Sequence, residues 1–142
     1  MKKYLLFTVA SLALMCSCHH DTIEDRAERE AKEYTKKFCP TPYNNDVRTD
    51  SLSFDKSSKT FTYHCRLRGL IDNPKVIAEN ESKLKNAIRE NITNDTGTKI
   101  YKDAGFSFIY IMRSDKDPNA ILLKVKLTEK IISRYKKPHH KN

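Results

Sequence analysis

The chain has 142 residues, a formal charge of +9 at neutral pH, 32% charged residues and only 3 glycines. That composition excludes a collagen-like, repetitive or low-complexity chain and fits a single small domain with a charged surface. The positive excess is concentrated at the C-terminus, because residues 124–142 hold seven bases and one acid while residues 19–39 hold six acids and five bases.

In chain order, Lys2 and Lys3 precede an apolar run of 12 residues, Tyr4 to Met15, and Cys16-Ser17-Cys18 follows before the sequence turns polar. A basic start, a short apolar middle and a small residue at the cut make a secretory signal. The run is well short of the ~20 apolar residues of a membrane-spanning helix. A cysteine at the cut resembles the lipobox of bacterial lipoproteins, in which that cysteine is acylated and becomes the mature N-terminus. Met15 fits poorly before Cys16, whereas Ser17 is small enough to stand before Cys18. Cys18 is therefore the expected lipid anchor, with Cys16 and an ordinary signal peptide as the alternatives. Soft-metal binding by Cys16, Cys18, His19 and His20 would need the signal to be retained. The resemblance also implies sorting to the outer rather than the inner membrane, because the residue after Cys18 is His19 and not Asp. Cleavage there removes 17 residues and leaves 125, enough for one core.

Residues 21–38 read as a helix. Asp21 and Glu24 have the spacing of a capping box. Ile23, Ala27, Ala31, Tyr34 and Phe38 form one apolar stripe. Asp25–Arg29, Glu28–Lys32 and Glu33–Lys37 stand four apart on the wet face. Pro40 and Pro42 stop the helix. Three residues from Cys18 to Asp21 reach at most ~10 Å, so an acylated Cys18 would hold the domain close to the bilayer.

Residues 47–55 and 60–68 predict a hairpin, with Phe61, Tyr63, Cys65 and Leu67 on a buried face and Thr62, His64, Arg66 and Arg68 on a wet one. Asn73 then caps a second helix with Pro74 in its first turn. Its buried stripe is Ile77, Leu84, Ile88 and Ile92, and Asn94 to Gly97 ends it. Phe106 to Arg113 and Ala120 to Leu127 predict two more strands around a turn at Ser114 to Asn119. Thr128 to Tyr135 suits a short helix, and Lys136 to Asn142 reads as a flexible basic tail. The expected architecture is α+β and two-layered: a four-stranded, mostly antiparallel sheet under two helices, in the order α-ββ-α-ββ. The expected organisation is a signal and anchor at 1–18, one domain at 19–135 and a tail at 136–142.

Three segments, YTKKFCP, RTDSLSFDKSSKTFTYHCRL and YKDAGFSFIYIMRS, resemble a family of small uncharacterised bacterial secreted proteins and lipoproteins. The likeness covers about residues 25–127. It implies the same fold and brings no activity with it.

Beyond the inner membrane the remaining cysteines, Cys39 and Cys65, are expected to pair as a disulfide, closing a loop worth roughly 3–4 kcal/mol. Two buried free thiols, or a reactive one, are the alternatives. Cys39 with His64 is the Cys–His pairing available for a thiol nucleophile. A Cys65–His64 dyad is disfavoured, because adjacent strand residues point apart. The sequence has no Gly-rich phosphate loop, HExxH or paired CxxC. Asp115 and Asp117 read as turn formers rather than calcium ligands. No cofactor and no metal site are expected.

Lys136, Lys137 and Lys141, beside His139-His140, are candidates for contact with an envelope polyanion, with a merely solvated tail or a metal site as alternatives. Nucleic acid is disfavoured by location. The expected function is that of a non-enzymatic, lipid-anchored envelope protein binding a protein or polymer near the membrane. The alternative is a thiol-based enzyme or an enzyme inhibitor or adaptor.

Overall fold

The computed structural model of the chain describes residues 21–135. The expected anchor Cys18, its rival Cys16 and the tail residues Lys136, Lys137 and Lys141 lie outside that range. The elements are α1 (Ile23–Phe38), β1 (Val47–Asp55), β2 (Thr60–Leu67), a 3-10 turn at Gly69–Ile71, α2 (Pro74–Asn94), α3 (Lys99–Asp103), β3 (Ser107–Ser114), β4 (Ile121–Leu127) and α4 (Glu129–Tyr135).

Helix α1 begins one residue later than its sequence suggests. Thr22 is the cap: its hydroxyl accepts from the Asp25 amide at 3.1 Å, and the Asp25 carboxylate accepts from the Thr22 amide at 3.1 Å. Asp21 does not cap because its carboxylate holds Arg29 at 2.6 Å. Two of the three expected i, i+4 pairs form, Glu28–Lys32 at 2.7 Å and Glu33–Lys37 at 3.2 Å. Asp25 leaves the third and meets Lys56 of the β1–β2 turn at 2.9 Å, and Lys59 of the same turn meets Glu24 at 2.8 Å. The turn is thereby tied to the start of α1. Farther along, the Thr35 hydroxyl accepts from the Leu52 amide and donates to the Leu52 carbonyl, both at 2.8 Å. This occupies the outer edge of β1 and sets α1 against it. The apolar stripe buries Ala27 and Ala31, but Phe38 at its end stays 59% exposed.

The sheet is mixed and runs β1-β2-β3-β4 in sequence order. Both hairpin pairs are antiparallel, and β2 and β3 are parallel. The parallel pair follows from connectivity: α2 and α3 carry the chain back to the end where β2 began, so β3 restarts in the same direction. Most of the pairing is antiparallel, as expected. The described fold has four helices rather than the two of the expected architecture: the short helix expected at Thr128 to Tyr135 forms as α4 (seven residues), and α3 (five residues) is an addition. Helix α3 is too short for an apolar stripe to announce it. Its Lys102, only 6% exposed, donates to the carbonyls of Ile92 (2.6 Å), Thr93 (3.0 Å) and Asp95 (2.5 Å).

The core fills the helix-covered side of the sheet with Phe61, Cys65, Leu67, Phe108, Met112, Leu123, Val125 and Leu127, against Ala27, Ala31, Ile77, Ile92 and Ile132. One end is aromatic. Phe61 stacks on Phe108 at 5.7 Å and meets Tyr101 edge-on at 4.9 Å, and Phe54 stacks on Phe106 at 5.4 Å. Burial of each such ring contributes ~2–3 kcal/mol, and aromatic contact adds ~1 kcal/mol.

Candidate functional site

Tyr63 of β2 and Tyr110 of β3 face each other in register across the parallel pair. Their rings are 4.6 Å apart and nearly parallel, at 6°. Both stand on the helix-covered side, by the same alternation that buries Phe61, Cys65 and Phe108. At this level the helices part, because α1 rests on β1 while α2 rests on β4 and α4. The gap between them is a cleft of about 550 Å³, within the range of small-ligand sites. Tyr34 of α1 forms one wall and Leu84, Ile88 and Asn91 of α2 the other. Tyr63, Tyr110, Cys65 and Met112 form the floor, and Thr41, Pro42, Asn44 and Asn45 the mouth. A second lobe of about 370 Å³ shares Tyr34, Tyr63, Asn91 and Tyr110 and ends at Asp95, Gly97 and Thr98. The middle of the α2 stripe, Leu84 and Ile88, is half-buried because it borders this cleft, while Ile77 and Ile92 are fully buried.

The tyrosines divide into two classes. Tyr43 donates to Asp115 at 3.1 Å and Tyr101 to Glu30 at 2.6 Å. The hydroxyls of Tyr34, Tyr63 and Tyr110 have no hydrogen-bond partner among the described residues, and none is sealed from solvent. Burial pushes all three phenols above the usual tyrosine range. The Asp95 carboxylate raises Tyr63 further, and Tyr63 raises Tyr110. They are neutral at physiological pH, so each can donate and accept.

The mouth is stiff. The guanidinium groups of Arg68 and Arg48 lie over the Tyr43 ring, at 4.1 Å and 4.9 Å from its centroid. Arg68 also holds Asp46 at 3.1 Å. The turn needs left-handed backbone at Asn45 (φ 48°) and Asp46 (φ 61°), which Asn and Asp tolerate better than most residues. Gly69 (φ +65°) lies against it, and a Cβ there would stand 2.9 Å from the Asp46 carboxylate.

The expected thiol constellation is not assembled. Cys65 lines the cleft, but Cys39 does not, and His64 points to the reverse face of the sheet. There His64 meets Ser53 and Arg113, each at 3.4 Å. Both cysteines are free thiols in the structure, so the expected Cys39–Cys65 bond is absent from it. Burial pushes the Cys65 thiol up to about 11, against the lowering effect of the Thr49 hydroxyl 4.0 Å away. Burial, then the Asp50 carboxylate, raises Cys39. Neither is a ready thiolate. Asp115 accepts from Tyr43, and the Asp117 carboxylate from the Asn119 amide at 3.1 Å, the latter as a turn former does. Among the described residues no group of three or more His, Cys, Asp or Glu side chains is placed to hold a metal.

The tyrosine cleft itself was not legible in the sequence. The alternation places Tyr63 on the buried face, but the gap above it depends on where two distant helices land.

Among solved structures the fold is similar to that of a candidate secreted protein from Pseudomonas aeruginosa, with a TM-score of 0.64 and 14% identity. The match covers 78% of this chain and 97% of that one. No curated protein matches the sequence. No helix among the described residues is long and apolar enough to cross a membrane. A family model, the domain of unknown function DUF8479, matches residues 22–123, most of the described fold, and the chain belongs to that family.

Proposed function

We propose that the protein is a non-enzymatic binding protein of the bacterial envelope, lipid-anchored through Cys18. Its tyrosine cleft receives an uncharged, hydrogen-bonding segment of an envelope protein or polymer. The observation that carries this reading is the set of three neutral phenols, Tyr34, Tyr63 and Tyr110, without protein partners in one cleft. Half-buried polar groups without partners are costly in a finished fold and favourable where a ligand completes them.

Two further points support the envelope setting. The structural relative is described as secreted, and the sequence begins with a lipoprotein-like signal. Helix α1 has 16 residues, so its ends are roughly 24 Å apart. The cleft mouth lies just beyond the far end of α1 and is therefore set back from an anchor that precedes the helix. In this reading the tail residues Lys136, Lys137 and Lys141 add a salt-sensitive contact with anionic groups. The outer membrane is the proposed location, from His19 after the anchor. The thiol-enzyme alternative draws no support from Cys39, Cys65 and His64: His64 lies on the opposite face of the sheet from Cys65, and both thiols are raised rather than activated.

The chain has seven tyrosines, of which three line the cleft, so binding is read by titration calorimetry rather than by tyrosine emission. The test titrates the mature chain with solubilised cell-wall glycan fragments and, separately, with uncharged peptides. The expected result is a saturable heat of binding with one class, lost in the triple variant Y34F/Y63F/Y110F. No saturable heat with either class, or an unaltered response in the variant, overturns the cleft as the binding site.

A further inference from the structure

We infer that the open face of the sheet, on the reverse of the cleft, is a membrane-facing surface that adsorbs to anionic lipid headgroups. The inference rests on the reading of the chain as a membrane-proximal protein and assigns the face that would meet the bilayer.

The helices and the core lie on one side of the sheet. On the other side Thr62, His64, Arg66, Ile109, Ile111 and Arg113 are only half-buried, and Lys124 and Lys126 are exposed. The register concentrates positive charge there. Arg48 is paired with Arg66 across β1 and β2, and Arg66 with Arg113 across β2 and β3. Like charges set opposite each other destabilise a sheet, and this row is only partly neutralised. One carboxylate, Asp50, accepts from both Arg48 (2.7 Å) and Arg66 (2.8 Å), and Asp115 lies 3.9 Å from Arg66. Asp55, at the end of β1, is occupied by the hydroxyls of Ser57 and Ser58 at 2.8 and 2.7 Å.

Arg113 has no carboxylate partner among the described residues, and its contact is the His64 ring at 3.4 Å. Burial and the Arg113 charge hold His64 below its usual value, so it is neutral at physiological pH and brings no compensating charge. Lys124 and Lys126, two residues apart on the edge strand, form no ion pair among the described residues. Three cations thus share one face without counter-charge.

Between them lies apolar surface. Ile109 stands between Thr62 and Lys126, Ile111 between His64 and Lys124, and Ile121 beside Arg113 is 52% exposed. A soluble polyanion needs the cations and leaves the isoleucines in water. A bilayer interface takes both, because apolar side chains reach the acyl boundary while Lys and Arg meet the headgroups. Adsorption through this face leaves the tyrosine cleft, on the opposite side, open for its own partner.

The test uses the chain from His19 onward, which keeps every described element and lacks the acylation site. An acyl chain would otherwise mask the surface. Flotation is measured with vesicles of about one-third phosphatidylglycerol and with purely zwitterionic vesicles. The expected result is salt-sensitive binding to the anionic vesicles alone. The variant R113Q/K124Q/K126Q should weaken it roughly 100-fold, at ~5-fold per cation. The charge-matched variant K32Q/K36Q/K37Q, altered on the wet face of α1, should weaken it no more than ~5-fold. Equal losses in the two variants, or no wild-type binding, overturn the proposal. So does complete loss on deletion of residues 136–142 alone, or competition by inorganic phosphate as strong as by the vesicles. Because no anchor is present, failure here is distinct from failure of the lipoprotein reading, which the mass of the mature N-terminus decides separately.

Discussion

The ammonium of Lys102 lies 2.6 Å from the carbonyl oxygen of Ile92, with the carbonyls of Thr93 and Asp95 at 3.0 and 2.5 Å. The last turn of a helix leaves its carbonyls unpaired, and a cation is the favourable partner at that end. A nearly buried lysine from α3 therefore closes the C-terminus of α2 and positions the Asp95–Thr98 end of the second lobe.

The substitution Lys102→Met keeps the aliphatic stem and strands the carbonyls. It should lower stability by about 3 kcal/mol, read as a shift of the urea midpoint at unchanged slope. A loss below ~1 kcal/mol would mean that water reaches these carbonyls when the lysine is gone.

The two classes of tyrosine should separate in stability measurements. Tyr63→Phe and Tyr110→Phe remove hydroxyls with no protein partner and should change stability by less than ~0.5 kcal/mol. Tyr101→Phe removes the 2.6 Å donor to Glu30 and should cost about 1–3 kcal/mol. Thermal melts of the three variants side by side make the comparison. A large loss in the first two would show that their hydroxyls bear on the fold rather than on a ligand.

Acid should destabilise the protein below the ordinary carboxylate range. Burial pushes Asp50 up, but hydrogen bonds from Arg66 and Arg48 outweigh it and hold the group below its usual 3.8. Burial likewise raises Glu30, while Tyr101 and Arg26 bring it below 4.5. Both stay ionised in the folded state at pH values where the unfolded chain takes up protons. Their contribution is present above those usual values and is lost as the pH falls through the lower folded ones. Urea midpoints should be flat from neutrality to about pH 5 and fall below about pH 4. Asp50→Asn should lose stability at pH 7, because it leaves two arginines without their carboxylate, and show a shallower decline in acid.

The thiols should differ in reactivity. With its thiol at about 11 and buried, Cys65 should resist alkylation at pH 8, while the half-buried Cys39 reacts first. In denaturant without reductant both should label, as free thiols do; failure of both to label would show a bond that this structure lacks. Because the Cys65 value is raised from 9.0, its contribution to stability is present below that value and is lost as the pH rises toward about 11.

How much of this was legible in the sequence depends on the range of the interactions involved. The span of α1, the alternation of β2, the Asn73-Pro74 start of α2 and the Lys56–Lys59 turn rest on contacts within a few residues. All four are found where the pattern places them. The shift of the α1 cap from Asp21 to Thr22 shows the limit of such reading: both residue types suit a cap, and in the fold Asp21 is engaged by Arg29 while Thr22 caps. Helix α3 escaped because five residues carry no periodicity, and its function depends on Lys102 reaching back to α2.

The sequence by itself determined the α+β class and which strand residues share a face, since these follow from local propensity and a period of two. Only the tertiary structure decided that β2 and β3 run parallel and so set Tyr63 beside Tyr110. It likewise decided that α1 and α2 settle on opposite edges of the sheet and leave three phenols unpaired, and that three arginines align on the reverse face. Each of these depends on where a long connection returns, which packing of the whole core decides and no local pattern encodes.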